Sequence, residues 1–327
     1  ESPIDEEWLY EWSDGNIQNN PKKFVVHKAI GSWEYGNHYL ILGEEDNTYG
    51  MSLKTMVFGP DGKSKHDGDA FGIISRSDYS LLTGRSRMWS CASGHTLFNH
   101  PSFNPATKKY AVMCGTDLPA LGTSGAGGGF WMRVEGKNAE GFADASLYKS
   151  LSISGGPTSL QPLADGGFIG VFAGINGKPD SSVNFRDKEP ASSIGLVRFN
   201  PDGKPSGSIK WLVSKPRTFL SYPQLVPFGD GTYLVGYAEM KNLDSSAEYK
   251  HEYSIPQNYY LMEIDQEGKP LSDAVKLSAA GWGEQDQIMP MGKGRAVWAY
   301  IKNPAYEGKN VQPPCRSAEL QLSVYSR

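Results

Sequence analysis

The feature that most constrains this chain is an internal repeat. Three segments share one pattern of apolar strand, Pro, Gly-containing turn and second apolar strand: TSLQPLADGGFIGVFAG from Thr158, PQLVPFGDGTYLVGYAE from Pro223 and DQIMPMGKGRAVWAYIK from Asp286. Phe172, Tyr237 and Tyr300 occupy equivalent places in these segments, 65 and 63 residues apart. A fixed spacing of this size predicts one supersecondary unit repeated along the chain.

Two weaker copies extend this inner hairpin toward the N-terminus. HPSFNPATKKYAVMCG places Cys114 at the landmark 58 residues before Phe172. GNHYLILG places Gly43 at the same landmark 71 residues before Cys114. We therefore expect five inner hairpins.

A second, outer hairpin recurs between the inner ones. Its best copies are LVRFNPDGKPSGSIKWL from Leu196 and LMEIDQEGKPLSDAVKL from Leu261. Each reads as an alternating strand, an Asp/Gly turn and another strand. Three further copies are TMVFGPDGKSKHDGDAFGI from Thr55, a looser match from Phe130, FWMRVEGKNAEGFADASL, and LYEWSDGNIQNNPKKFVV from Leu9. Each repeat is therefore expected to hold four strands.

Four strands per repeat predict an all-β chain folded as one β-propeller domain over residues 1–327. The chain begins with an outer hairpin and ends with one more strand, ELQLSVY from Glu319. We expect strands within residues 8–28 to complete the last blade and close the ring, which would cover exposed sheet edges. Five blades are expected, and the extra C-terminal strand leaves six open. The long amphipathic helices of a doubly wound α/β fold are not seen in the sequence.

The repeat also supports a resemblance at the level of architecture. LQPLADGGFIGVF and LVPFGDGTYLVGY combine an apolar strand, Pro, an Asp-Gly-Gly or Gly-Asp-Gly turn and an apolar-aromatic strand. This pattern resembles the β-propeller repeats of extracellular bacterial proteins. The resemblance spans nearly the whole chain and implies the fold, but no catalytic residue.

Charge and hydropathy exclude several classes of partner. The net charge is −4, without long runs of either sign, so we expect no nucleic-acid ligand. No stretch approaches the roughly 20 apolar residues of a transmembrane helix. Residues 1–7 are acidic, unlike a signal peptide. The abundant Tyr and Trp and the divergent repeats favour a secreted, periplasmic or cell-surface protein, and they leave open that the chain is part of a larger extracellular protein or assembly.

Motifs for metals and cofactors are missing from the sequence. Cys91, Cys114 and Cys315 allow at most one disulfide, with Cys91–Cys114 the candidate and buried free thiols the alternative. The Asp-Gly turns lack the spaced oxygen ligands of a calcium loop and suit hairpin turns. The glycine-rich run 122–129 lacks the Lys of a phosphate-binding loop. We therefore expect no cofactor and no metal site, although calcium in a central channel stays open.

Candidate ligand-binding residues follow from the propeller geometry. The segments that lead into the innermost strands gather at one face, and here they are residues 31–36, 93–100, 155–160, 220–225 and 283–288. They supply the candidate ligand-binding residues Trp33, Tyr35, Tyr222, Glu284 and Gln285. Arg87, just before the second segment, could bind an acidic group with its guanidinium fork. The long polar connection 241–258 is the candidate recognition loop.

Two functions fit this set of residues. In the first, the protein is a secreted or surface-exposed binding module that recognises a glycan or a protein through one face. In the alternative, it is a glycoside hydrolase or polysaccharide lyase, with Glu34, His95 and Asp286 as catalytic candidates. The repeats differ even at their landmark, which favours a single site over identical pockets in every blade. A structural role is the alternative interpretation, since polar side chains that line the central channel of a propeller commonly just bind water and join neighbouring blades.

Overall fold

The structure is a computed structural model. It describes residues 7–9, 12–13, 16–17, 22–24, 33–43, 46–58, 64–78, 80, 82, 89–90, 101–116, 129–136, 145–146, 159–174, 176, 193–216, 218–242, 254–278, 281–283, 286–302 and 319–327. For several strands, most of them before residue 72, only the backbone is described.

Within these ranges the chain is all-β, as predicted, and its strands form antiparallel sheets of two to four strands. At the N-terminus, β1 (Glu7–Leu9) pairs with β4 (Lys22–Phe24), and β2 (Trp12–Ser13) pairs with β3 (Asn16–Ile17). The described residues contain no helix long and apolar enough to cross a membrane.

Two four-stranded sheets follow, each with its strands in chain order. The first sheet consists of β5 (Trp33–Gly43), β6 (Thr48–Phe58), β7 (Ser64–Ser75) and β8 (Trp89–Ser90). The second consists of β9 (Ser102–Asn104), β10 (Lys109–Thr116), β11 (Gly129–Gly136) and β12 (Ala145–Ser146).

Three more sheets repeat this meander. The third sheet consists of β13 (Ser159–Pro162), β14 (Phe168–Gly174), β15 (Ser193–Phe199) and β16 (Lys210–Ser214). The fourth consists of β17 (Leu220–Pro227), β18 (Thr232–Asn242), β19 (Ser254–Asp265) and β20 (Val275–Lys276). In the fifth, the described strands are β21 (Met289–Pro290), β22 (Arg295–Lys302) and β23 (Glu319–Ser326).

The strand assignment predicted for the first sheet is wrong. Gly43, expected at the second-strand landmark, ends β5, which is the first strand of its sheet. The hairpin from Thr55, expected to join two outer strands, joins β6 and β7, the second and third. Alternation of apolar and polar residues identifies a strand but does not number it within a meander, which explains the error.

Side-chain hydrogen bonds explain the Asp/Gly turns. Asn200 Oδ1 accepts hydrogen bonds from the backbone N–H groups of Asp202 (3.0 Å) and Lys204 (2.9 Å). In the equivalent turn, Asp265 Oδ1 accepts them from Glu267 (3.0 Å) and Lys269 (2.8 Å). Gly203 and Gly268 both adopt a φ of 76°, which a residue without Cβ does at little cost. The interpretation of these two segments as hairpin turns is confirmed.

The first strands of successive sheets are neighbours: β5 contacts β9, β9 contacts β13, β13 contacts β17, and β17 contacts β21. Equivalent residues make two of these junctions. The backbone N–H of Leu225 donates to Ser159 Oγ (3.1 Å), and that of Ile288 donates to Gln224 Oε1 (3.3 Å). Because equivalent positions meet, β13, β17 and β21 begin at the same end of their sheets. We call this end the lead-in face.

Apolar layers fill the spaces between consecutive sheets. Between the second and third sheets lie Met113, Met132, Leu160, Phe168 and Phe172. Between the third and fourth lie Val171, Ile194, Leu220, Val235 and Tyr237. Between the fourth and fifth lie Leu234, Leu261, Trp282, Ile288 and Trp298. Burying each large apolar side chain contributes about 1.5–3 kcal/mol, so these layers hold the sheets face to face.

Asn104 offers a test of the junction between the second and third sheets. It is fully buried, and its Nδ2 donates to the carbonyls of Leu163 (2.9 Å) and Gly167 (2.8 Å). We expect Asn104→Ala to lower the free energy of unfolding in urea by about 2–3 kcal/mol, because it removes two buried hydrogen bonds between the sheets and the bond that Asn104 Oδ1 accepts from the backbone N–H of Ala106. The control is Asn176→Ala, which removes an exposed bond to Ser214 (3.1 Å). Equal losses in the two variants would contradict this role for Asn104.

Candidate functional site

The structure describes only part of the predicted site. Tyr222 and Asp286 are described with their side chains. Trp33, Glu34 and Tyr35 lie in β5, and only their backbone is described. Arg87, His95, Glu284 and Gln285 lie outside the described residues. The lead-in face can therefore be built around Tyr222 and Asp286, and the roles of the other residues stay predictions.

Tyr222 occupies a strained position at the start of β17. The register between β17 and β18 shifts between Ser221 and Gln224, and Tyr222 has a φ of 54°. A bulky L residue rarely adopts a positive φ, and Pro223 also favours an extended conformation at the residue before it. Such strain costs about 1–3 kcal/mol and persists where the surroundings fix it, often at ligand-binding sites.

Trp282 fixes the backbone at this bulge. Its Nε1–H donates a hydrogen bond to the carbonyl of Tyr222 (2.9 Å), and its side chain is fully buried. The hydroxyl of Tyr259 donates to the carbonyl of Trp282 (2.8 Å), and the two rings lie 5.0 Å apart. Burial raises the pKa of Tyr259, and the charge of Asp286 adds to the effect. The backbone of Tyr222 is thus fixed by Trp282, which lies in the segment that precedes the fifth sheet.

Two glycines make room for these rings. A Cβ at Gly236 would lie 2.7 Å from the ring of Trp282, and a Cβ at Gly281 would lie 2.2 Å from the ring of Tyr259. Both separations are far below van der Waals contact. The close packing around Tyr222 therefore depends on residues without side chains.

Asp286 closes a tight turn before β21. Its Oδ2 accepts a hydrogen bond from the backbone N–H of Gly283 (2.9 Å), and its carbonyl accepts one from Gln224 Nε2 (3.0 Å). Gln224 follows Tyr222 by two residues, so the structure brings the segments of Tyr222 and Asp286 together at the lead-in face. The contact with Gly283 gives Asp286 a structural role, while its catalytic role stays a prediction.

A second group of polar side chains surrounds Glu239. This residue pairs with Leu220, the first residue of β17, and therefore also lies at the lead-in face. Its carboxylate accepts hydrogen bonds from Lys215 Nζ, Asn258 Nδ2 (2.9 Å) and the hydroxyl of Tyr260 (2.8 Å). Burial disfavours the charged form of Glu239, but these hydrogen bonds outweigh it and lower the pKa of the carboxyl. Glu239 therefore remains ionised.

The sequence-based set lacks Glu239 because it came from the segments before the first strands, whereas Glu239 lies in a second strand. One signal was available. Glu239 ends the repeat segment from Pro223, where the equivalent positions hold Gly174 and Lys302. The bounds of the predicted recognition loop 241–258 are wrong, because residues 241–242 end β18 and residues 254–258 begin β19. Asn258, within β19, is the residue of that segment that is bonded to Glu239.

Among the described residues, no group of three or more His, Cys, Asp or Glu side chains is placed to hold a metal ion. Cys114 lies in β10, where its side chain is not described, and Cys91 and Cys315 lie outside the described residues. A bridge between Cys91 and Cys114 stays a prediction.

Comparisons with known proteins show a shared fold. No protein-family model matches the sequence, and no curated protein matches it. A crystal structure of a protein of unknown function from Dyadobacter fermentans is 11% identical with a TM-score of 0.53, over 95% of this chain and 81% of that one. At this identity the likeness shows the fold alone.

Two enzyme structures are less similar. An α-L-arabinanase from Penicillium chrysogenum, complexed with arabinobiose, is 12% identical with a TM-score of 0.43, over 80% of this chain and 76% of that one. A levansucrase mutant from B. megaterium is 8% identical with a TM-score of 0.42, over 82% of this chain and 78% of that one. Likeness at these TM-scores carries no argument about function.

Proposed function

We propose that this protein is a secreted or surface-exposed binding module that recognises a glycan through the lead-in face of a β-propeller. The observation that carries the proposal is Tyr222, a half-buried aromatic residue at a positive φ, fixed in place by Trp282. A rigid aromatic side chain offers a large contact area at little entropic cost. Its face suits the apolar face of a sugar ring.

Polar groups complete this surface. Ligand sites combine aromatic contact with a few placed polar side chains. Asp286 is exposed at the lead-in face near Tyr222, and Glu239 and Lys215 lie at the same face at the neighbouring junction. These groups supply hydrogen bonds to sugar hydroxyls.

Glu239 does not suit the role of general acid in glycoside hydrolysis. A general acid in glycoside hydrolysis needs a raised pKa, whereas that of Glu239 is lowered. One oxygen of Asp286 is engaged by the backbone of Gly283. The enzyme alternative keeps Glu34, His95 and Asp286 as its catalytic candidates, and the side chains of Glu34 and His95 lie outside the described residues. The following experiment separates the two functions.

We further propose that the five larger sheets are the five blades of one closed ring spanning residues 1–327. The sequential contacts of β5, β9, β13, β17 and β21 support this arrangement. One apolar face of the fifth sheet packs against the fourth sheet. The other face is exposed, and its residues Leu320, Leu322 and Val324 are 71%, 70% and 56% exposed to solvent. Closure onto the first sheet would cover that face. Strands within residues 8–28 would complete the last blade.

The test is to incubate the purified protein with a broad panel of oligosaccharides and identify retained and cleaved molecules by mass spectrometry. We expect retention without cleavage. Tyr222→Gly should weaken the measured Kd by about 10–100-fold, because it removes an anchoring aromatic side chain. Glycine relieves the strain at positive φ, but the variant also loses the packing of the Tyr222 ring against the core between the fourth and fifth sheets, so the Kd is measured at a temperature where the variant is folded.

Tyr222→Phe is the matched control, since it keeps the ring and should keep the affinity. Products that disappear in Glu34→Gln or Asp286→Asn would show that the protein is an enzyme. If neither retention nor cleavage occurs, glycan recognition is wrong and a protein ligand becomes the better hypothesis.

A further inference from the structure

The group around Glu239 has a composition suited to ligand binding. Lys215 Nζ pairs with the Glu239 carboxylate and also lies over the Tyr260 ring, 4.2 Å from its centroid. The side chains of Lys215 and Glu239 are 34% and 16% exposed, so both are reachable from solvent. This group lies at the junction of the third and fourth sheets, apart from the bulge at Tyr222.

Tyr237 adds an unsatisfied hydroxyl beneath this group. Its side chain is fully buried, and its ring stacks on that of Tyr260 at 5.2 Å and 10°. Among the described residues, the Tyr237 hydroxyl has no hydrogen-bond partner although it is buried. Burial raises the pKa of Tyr237, and the nearby Tyr260 and Glu239 add to that rise. A buried polar atom without a partner costs free energy, so its presence calls for an explanation.

The equivalent residue in the next repeat behaves differently. The hydroxyl of Tyr300 is 2.6 Å from Gln321 Oε1, to which it donates a hydrogen bond. An unpaired hydroxyl is therefore not a general property of this repeat position. It is specific to the junction that also holds Glu239.

The charges at this junction indicate the class of ligand. Lys215 and Glu239 pair with each other, so their charges cancel and a charged ligand gains little. An ammonium has three protons to donate, and a carboxylate has about four lone-pair sites, of which the contacts above use three. A ligand hydroxyl both donates and accepts, which suits Lys215, Glu239 and Tyr237 together.

We propose that Glu239, Lys215 and Tyr237 form a subsite for the hydroxyl groups of a neutral sugar, with a ligand hydroxyl as the missing partner of Tyr237. The subsite rests on the proposed glycan-binding function and names its ligand class.

The experiment uses the full chain with neutral oligosaccharides derived from arabinan, galactan, xylan and glucan, and with oligogalacturonides as the charged alternative. We expect retention of a neutral oligosaccharide. Tyr237→Phe should weaken its Kd about tenfold or more, because a polar group built to pair with the ligand is lost. The Tm of this variant should be unchanged or higher, because an unsatisfied hydroxyl has been removed.

Two controls separate binding from stability. Tyr300→Phe, at the equivalent repeat position, should lower the Tm and leave the Kd unchanged, because its hydroxyl is paired within the protein. Raising NaCl from about 50 to about 500 mM should leave the Kd of the wild type unchanged, because screening affects charged ligands.

Four results would overturn the subsite. An unchanged Kd in Tyr237→Phe, with Tyr222→Gly still impaired, removes the subsite and leaves the proposed function intact. A Tm loss in Tyr237→Phe equal to that of Tyr300→Phe means that the hydroxyl has a partner within the protein. Salt-sensitive retention of oligogalacturonides alone contradicts the neutral ligand. A wild-type protein that retains no oligosaccharide overturns both the function and the subsite.

Discussion

Trp282→Ala is expected to lower the free energy of unfolding by about 3–5 kcal/mol, the usual cost of removing a large buried aromatic side chain. Trp282 is fully buried between the fourth and fifth sheets and packs edge-on against Trp298, with ring centroids 6.0 Å apart. The same substitution removes the hydrogen bond that fixes Tyr222. Glycan retention should therefore be lost as well, measured at a temperature where the variant is still folded.

Two matched variants separate packing from positioning. Trp298→Ala should destabilise the same core without removing the hydrogen bond to Tyr222, so the affinity of the folded protein should be retained. Trp282→Phe keeps an aromatic ring but loses the N–H donor, and it should weaken binding more than it lowers the Tm. Wild-type affinity in Trp282→Phe would contradict the proposal that the hydrogen bond from Trp282 fixes the position of Tyr222 for binding.

Leu322→Asp is expected to lower the free energy of unfolding by about 3–5 kcal/mol, because ring closure would bury an unpaired carboxylate. Leu322 lies in β23 on the exposed face of the fifth sheet, opposite Ala299 and beside Leu320 and Val324 on the same face. If Leu322 stayed 70% exposed, the same substitution would change the free energy of unfolding by only about 0.5 kcal/mol. Urea unfolding of the variant measures the difference.

Val275→Asp is the control, because Val275 is 60% exposed on β20 and takes no part in the proposed closure. It should change stability by about 0.5 kcal/mol or less. Equally small effects in both variants would mean that the face is open to solvent and the ring is not closed there. A wild-type Tm that rises with protein concentration would mean that a second copy of the chain buries the exposed face of the fifth sheet.

The local sequence predicted the all-β class and much of the strand pattern. Alternation of apolar and polar residues extends over a few residues, and so do the hydrogen bonds that make Asn200 and Asp265 turn residues. The same local signals misassigned the hairpin from Thr55, because they do not say which strands pair. The sequence also predicted that segments 220–225 and 283–288, which contain Tyr222 and Asp286, lie at one face, and the structure brings these two segments together.

The candidate site itself depends on contacts between residues far apart in the sequence. The strain at Tyr222 is held by Trp282, 60 residues later, and Glu239 is satisfied by Lys215, which follows β16, and by Asn258 in β19. The sequence by itself determined the strands, the turns and the repeat, because these follow from the preferences of neighbouring residues. Only the tertiary structure decided the bulge at Tyr222 and the polar group at Glu239, because packing between sheets joins side chains that no local pattern relates.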